Sequence, residues 1–391
     1  MTPLQTGLER FLQAPPAEVR GRRIGLLCNP ASVDSRLRHA STCMGRHKDL
    51  DLRALFSPQH GFFSEKQDNM VESGDGFDTE LNIPIFSLYG RTRVPTEAML
   101  EGIDVLVVDL QDVGTRVYTF IYTMAHCMEA AARFDRAVVV LDRPNPIGGT
   151  QVEGSCLRPA FSSFVGRYPI PMRHGMTTAE LAVMFNEQFG IGCRLSVVPM
   201  RGWRRWMYFA DTGLCWIAPS PNMPSPETAV VYPGQVIWEG TNVSEGRGTT
   251  QPFELFGAPF IDPAAILARL PDAARSGAVL RPVAFEPTFQ KWKGQRCSGF
   301  QLHPVRREDF KPCRTSLALV SAVRGCAPDH FEWKPPPYEY EYEKMPVDLI
   351  FGDDRIRREI DEGRSFEHLI RGWREEESKF DSDRRPFLLY S

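Results

Sequence analysis

Four short apolar runs, each ending in a polar, turn-forming segment, constrain this chain more than any other feature. Ile24-Gly25-Leu26-Leu27-Cys28 stops at Asn29-Pro30, and Leu52 to Phe56 runs into Ser57-Pro58-Gln59-His60-Gly61. Val105-Leu106-Val107-Val108-Asp109-Leu110 stops at Gln111-Asp112, and Ala137 to Leu141 stops at Asp142-Arg143-Pro144-Asn145-Pro146. Continuous rather than alternating hydrophobicity marks strands buried on both faces, which need covering helices. Tyr118 to Phe134, with apolar groups at helical spacing, supplies one crossover helix. Thr177 to Phe189, with Thr177 and Thr178 as caps and Glu180 in the first turn, supplies another, and a strand follows at Arg194 to Pro199. The pattern predicts an α/β domain with a mostly parallel sheet, whose ligands lie beyond the carboxyl ends of the strands. The polar segments fall there.

Past Pro252 the texture changes. Ile261-Asp262-Pro263 reads as a helix entry, Phe285 to Phe289 and Gly299 to His303 follow, and a helix is predicted from Ser316. These features place a division near residue 260, giving domains 1–260 and 261–391. Lys334 to Glu343, with three consecutive prolines, is expected to be extended rather than helical. The chain carries 49 acidic and 46 basic residues, a formal charge of -3, so no global field points to a nucleic-acid partner. No eighteen-residue apolar span occurs, so membrane insertion is not expected. Nine scattered cysteines, odd in number and never in a Cys-x-x-Cys spacing, fit reduced thiols better than disulfides or a zinc site. Met1 to Arg10 shows no basic region followed by an apolar run. As written, the chain is expected in the cytoplasm, or in the periplasm or outside the cell if a leader has been removed.

Several signatures are missing. Gly-x-Gly-x-x-Gly, Gly-x-x-x-x-Gly-Lys-Ser/Thr, His-Glu-x-x-His and Gly-x-Ser-x-Gly do not occur, so no cofactor and no metal is expected. What remains is rich in carboxylates: Glu65, Glu72, Asp109, Asp112, Asp142, Glu153, Glu239 and Glu245 lie in or beside predicted loops. Paired carboxylates suit glycoside hydrolysis, where one is held protonated to donate to the leaving oxygen and the other acts as base or nucleophile. Any one of them alone reads as a cap or surface ion pair, and Asp112 as a cap of the helix that follows.

The densest of these segments is Trp238 to Thr250, with two glutamates, Asn242, Arg247 and three glycines in thirteen residues. Its pattern is neither helical nor strand-like and reads as a binding or catalytic loop. Asp142 to Pro146 and Pro219 to Pro224 are stiffened by proline and present the amides of Asn145 and Asn222 to a sugar hydroxyl or acetamido group. Arg173-His174-Gly175 and Arg247 add donors suited to a carboxylate. His60 and His174 stand in polar turns, and Tyr89, Tyr168, Trp216, Tyr232 and Trp238 flank these loops as stacking candidates.

Eight of these segments recur in order in a known family. They are Ser57 to Gly61, Ile85 to Gly90, Val107 to Gly114, Val140 to Pro146, Val152-Glu153-Gly154, Tyr168 to Met176, Pro219 to Pro224 and Glu239 to Thr250. From about Gly21 to the C-terminus the chain closely resembles the exo-β-N-acetylmuramidase family, NamZ or YbbC-like, long described as a domain of unknown function. The resemblance implies a Rossmann-like α/β domain joined to a smaller C-terminal α+β domain. It implies an exo-acting glycoside hydrolase that releases N-acetylmuramic acid from the non-reducing end of peptidoglycan fragments, with muramyl saccharides as partners. Carried over by motif, Glu153 is the first catalytic choice, with Glu65, Glu239 and Glu245 as candidates for its partner. Gln59, His60, Asp109, Gln111, Asp142, Arg143, Asn145, Arg173, His174, Asn222, Asn242 and Arg247 are the implied substrate contacts. The motifs assign neither acid nor base.

The chain departs from the family in two respects: many members carry a secretion signal that this sequence does not show, and one motif region differs. Many members carry Glu-His-Gly where Gln59-His60-Gly61 stands, and an Ala-Gly-Glu where Asp68-Asn69-Met70 stands with Glu72 nearby. If the family's acid is one of those glutamates, Glu65 or Glu72 has to replace it. Two other classes therefore stay open beside the glycosidase: a non-catalytic muropeptide-binding protein, and an amidase-type hydrolase acting on muropeptides. Stereochemical outcome and oligomeric state are not encoded in these motifs.

Overall fold

The computed structural model describes residues 4–391; residues 1–3, the start of the N-terminal segment considered above, lie outside it. The four apolar runs form β1 (Arg23–Cys28), β2 (Asp51–Ser57), β5 (Val105–Asp109) and β6 (Ala137–Leu141). With β3 (Gly76–Asp78), β4 (Ile83–Ser87) and β9 (Arg194–Val198) they make a seven-stranded sheet in the order β3-β4-β2-β1-β5-β6-β9. All pairings are parallel except β3 with β4. The motif Ile85 to Gly90 thus begins inside a strand, β4, that the pattern of runs did not announce, because Pro84 interrupts it.

Successive residues of each strand feed opposite faces, which explains the unbroken hydrophobicity. Leu106, Val108, Val138 and Val140 enter one buried cluster beneath the helices Phe120–Arg133 and Thr178–Glu187. Val105, Val107, Val139 and Leu141 enter another beneath Gly7–Gln13 and Ala40–Gly45. Two short strands, β7 (Glu153–Cys156) and β8 (Pro171–Arg173), pair antiparallel. The C-terminal part contributes an antiparallel sheet in the order β10-β12-β11, from β10 (Leu255–Ala258), β11 (Ala278–Phe285) and β12 (Cys297–Pro304). The first cluster runs without a break from Leu27 to Phe380, so both parts of the chain share one core. All nine cysteines are free, and among the described residues no helix is long and apolar enough to cross a membrane.

Two helix starts differ from expectation, and both differences bear on the site. The helix expected at Ser316 begins at Pro312. Its third N–H, from Arg314, is accepted by Glu153 Oε1 (2.9 Å), a cap from residues distant in sequence that local composition cannot reveal. Asp112 caps no helix: its Oδ2 accepts the N–H of Gly114 (2.7 Å). The helix after it starts at Phe120 with Thr119 as N-cap, and the Thr119 hydroxyl makes no capping bond. It donates to Gln59 Oε1 instead (2.6 Å).

Candidate active site

Beyond the carboxyl end of β2, a small inner chamber of about 40 Å³ opens into an outer cleft of about 460 Å³. Asn69, Glu239, Arg247 and Tyr338 line both. The glycine-rich loop reaches this place because its turns are cramped. Gly246 and Gly248 have φ of +78° and +82°, and a Cβ at either would sit 2.6 or 2.7 Å from the backbone of Leu255 or Phe289.

The loop's charges form one buried array. Arg247 Nη2 pairs with Glu239 Oε1 (2.6 Å), while its Nε lies 3.3 Å from Glu245 Oε1. Glu239 Oε2 accepts from the Tyr338 hydroxyl (2.6 Å) and from Asn69 Nδ2 (3.1 Å). Lys291 Nζ donates to Glu245 Oε2 (2.8 Å) and to the carbonyls of Trp238 and Val243, so its three hydrogens are committed. Burial pushes the Glu245 carboxyl up, yet Lys291 and Arg247 together hold it below its ordinary value.

A third buried carboxylate, Glu339, lines the inner chamber. Its Oε1 accepts from Gln59 Nε2 (2.9 Å) and its Oε2 from the Tyr89 hydroxyl (2.6 Å). The Thr119 hydroxyl on Gln59 Oε1 fixes which end of that amide faces Glu339. Burial raises Glu339 to about 7; the Tyr89 and Gln59 hydrogen bonds oppose the rise, and the charge of Glu239 adds to it. Glu339 and Tyr340 are the central pair of a two-residue turn closed by reciprocal Tyr338 and Glu341 backbone bonds, with φ of 46° and 67°. Such a turn favours Asn-Gly, so a glutamate and a tyrosine here are a local strain of the kind found at functional sites. Arg93 stacks 3.7 Å from the Tyr340 ring and braces the turn. His60, also at positive φ (79°), lines the chamber, held to the Lys66 carbonyl through Nδ1 (2.7 Å). Burial lowers it to about 4, so it is a neutral imidazole.

Of the residues singled out from the sequence, Gln59, His60, Asn222, Asn242, Glu239, Glu245 and Arg247 line the chamber or the cleft. The others are placed elsewhere. Glu153 is fully buried at the start of the Pro312–Cys326 helix, 3.6 Å from Arg314. Glu65 is exposed beside Gly61, and Glu72 is exposed. Asp109 and Arg143 form a buried two-pronged pair (2.6 and 2.8 Å). Asp142 accepts from Ala179 N and the Thr177 hydroxyl at the next helix start. Gln111, Asn145 and Arg173 hold backbone carbonyls of Pro144, Met176 and Ile147. His174, lowered to about 3 by burial, has Nδ1 on the Met176 N–H. Of the aromatics, Tyr232 lines the chamber and Tyr89 backs it. Tyr168 and Trp238 stack on Phe189 and Phe256 in the core, and Trp216 donates to the Met223 carbonyl. Among the described residues no cluster of His, Cys, Asp or Glu has the makings of a metal site. From this placement Glu153→Gln is expected to keep turnover within a few-fold of wild type while lowering thermal stability. Loss of turnover in a well-folded variant would return Glu153 to the chemistry.

Comparison with known proteins gives a consistent assignment. The N-terminal model of the exo-beta-N-acetylmuramidase NamZ family matches residues 24–227 and its C-terminal model residues 230–390. The peptidoglycan beta-N-acetylmuramidase NamZ of Bacillus subtilis (strain 168) is 42% identical over 387 residues, 99% of this chain and 91% of that protein. Crystal structures of two DUF1343 family proteins from Bacteroides fragilis NCTC 9343 share the fold. One has a TM-score of 0.87 at 32% identity, with 100% of each chain covered. The other has a TM-score of 0.78 at 27% identity, covering 100% of this chain and 99% of that one.

Proposed function

The chain belongs to the exo-β-N-acetylmuramidase NamZ family, a glycosidase family acting on peptidoglycan fragments, and from that premise we propose which saccharide its cleft takes and which residues cleave it. The substrate is a muropeptide-derived saccharide with N-acetylmuramic acid at its non-reducing end. The terminal sugar binds at the mouth of the inner chamber, whose apolar wall is formed by Val117, Phe120, Val165, Met223 and Phe253. The remainder lies in the outer cleft along Trp333, Pro335 and Pro337. One observation carries the mechanism: two glutamates in adjoining positions have opposed environments. Glu339, raised to about 7, keeps its proton in mild acid and in about half the molecules at neutral pH, and donates it to the glycosidic oxygen. Glu239, fixed by Arg247, Tyr338 and Asn69, is the anionic partner that supports the positive charge developing on the sugar. Gln59 is then not a lost acid but the amide that orients Glu339.

A chromogenic β-N-acetylmuramide, compared with the matching β-N-acetylglucosaminide, tests the substrate. Release from the muramide alone is expected; equal release from both would mean that the lactyl group is not read. Trp333, held by Asp361 through its indole N–H (3.1 Å), tests the outer cleft. Trp333→Ala is expected to raise KM for a disaccharide about five-fold, from the ~1 kcal/mol of one aromatic contact. It should leave the KM for the aryl muramide unchanged.

A further inference from the structure

The ligand crevice expected of this topology is not the cleft just described. From β1 the chain advances to β2 and β4 on one side and to β5, β6 and β9 on the other, so the switch point lies between β1 and β5. Open α/β sheets bind ligands there. The cleft instead joins residues after β2 to the C-terminal part of the chain. At the switch point itself is a separate cavity of about 80 Å³, lined by Val33 after β1, Gln111 after β5 and Arg143 after β6, and closed by Phe209, Leu214 and Cys215. None of its lining residues lines the cleft.

Two of these residues are almost wholly buried and incompletely used. Arg143, 4% exposed, commits Nε and Nη2 to Asp109 and the Val33 carbonyl. Gln111, 3% exposed, donates through Nε2 to the carbonyls of Asp112 and Pro144. Among the described residues neither Arg143 Nη1 nor Gln111 Oε1 has a partner, and neither atom is sealed from solvent. The cavity therefore offers the two N–H groups of Arg143 Nη1 and one carbonyl acceptor in a mostly apolar wall. Asp109 neutralises Arg143, and Asp34 at the rim is paired with Arg38, so the wall selects an uncharged ligand.

A secondary amide is the small group that presents a carbonyl acceptor and an N–H donor between apolar ends. We propose that this switch-point cavity is a second binding site, for a small uncharged secondary amide: an N-acetyl group, or one peptide bond flanked by short side chains. It stands independently of the muramidase reading.

Cys215, the exposed one of the nine cysteines, lies in the cavity wall and provides the readout. Its modification by methyl methanethiosulfonate in the full chain is followed by mass spectrometry. The competing ligands are N-acetylalanine methylamide, N-acetylglucosamine, or the N-methylated tertiary-amide analogue of the first. Saturable protection of several-fold by a secondary amide, and none by the tertiary analogue, is expected. Protection by the peptide-like or by the sugar amide tells the two sources apart. Saturation-transfer NMR with the same ligands is the second measurement, with Leu214→Trp filling the cavity. That variant should abolish the signal of the protecting ligand and leave turnover of the aryl muramide unchanged. Neither secondary amide protecting or giving a signal, equal protection by the tertiary analogue, or an undiminished signal in Leu214→Trp would overturn the proposal.

Discussion

Glu339→Gln is expected to lower kcat by about 10²–10⁴-fold, the contribution of one positioned proton donor, while the fold is retained. The glutamine fills the same volume and can keep one of the two hydrogen bonds from Tyr89 and Gln59. Wild-type kcat should be level below pH 7 and fall about tenfold per unit above it as Glu339 loses its proton. Stability provides a separate readout with a definite sign. Glu339 lies at about 7 in the folded chain against an ordinary 4.5, so the native state binds the extra proton across that window. Its stabilising contribution is complete below about 4.5 and is lost as pH rises through 7. The glutamine variant has no such loss. Between pH 5 and 8 its stability relative to wild type should rise by on the order of 3 kcal/mol, measured by chemical denaturation at each pH. A variant within three-fold of wild-type kcat at pH 6 would remove Glu339 from proton transfer, whatever its stability did.

How legible this site was depended on what kind of contact holds each residue. The central strands and their helices were evident because burial on two faces leaves an uninterrupted local signature, as in Val105 to Asp109. The Trp238 to Thr250 loop was evident because close backbone approach demands glycine at 246 and 248. Glu339 left no such trace. It sits in a run whose prolines and alternating tyrosines mark only extended chain, and its environment comes from Gln59 and Tyr89, hundreds of residues away. The two-residue turn that aims it carries neither Asn nor Gly. The reverse holds for Glu153, Asp109, Asp142 and Arg143. Their motifs are as distinctive as those of the cleft, but the side chains lie outside it, at a helix start, in a buried ion pair and on a backbone carbonyl, with Arg143 Nη1 left over beside the switch-point cavity. A polar residue at a strand end has the same sequence signature whether it faces a ligand or ties down the next loop. Gln59 illustrates the same ambiguity: in sequence it is a missing carboxylate, and in the fold it is the partner of one.

Arg247→Met should be the most destabilising substitution in the cleft, because it strands charge rather than removing a contact. Arg247 is the cation facing both Glu239 and Glu245, each of which is nearly buried. Glu245 would keep Lys291, whereas Glu239 would keep only the neutral donors Tyr338 and Asn69. Breaking a buried pair from one side costs about 3–5 kcal/mol, since the remaining carboxylate has neither water nor a counter-charge. In a chain of this size a fall in Tm of roughly 4–6 °C is expected, with kcat/KM lowered by at least about 10²-fold. The double variant Arg247→Met/Glu239→Gln separates the two roles of the pair. Removing the stranded charge should restore most of the lost Tm and none of the lost turnover, because the restored packing contains no anion to face the sugar. Recovery of turnover along with stability would show that the pair only holds the loop in place, and the anionic partner of Glu339 would then have to be Glu245 across the same cleft.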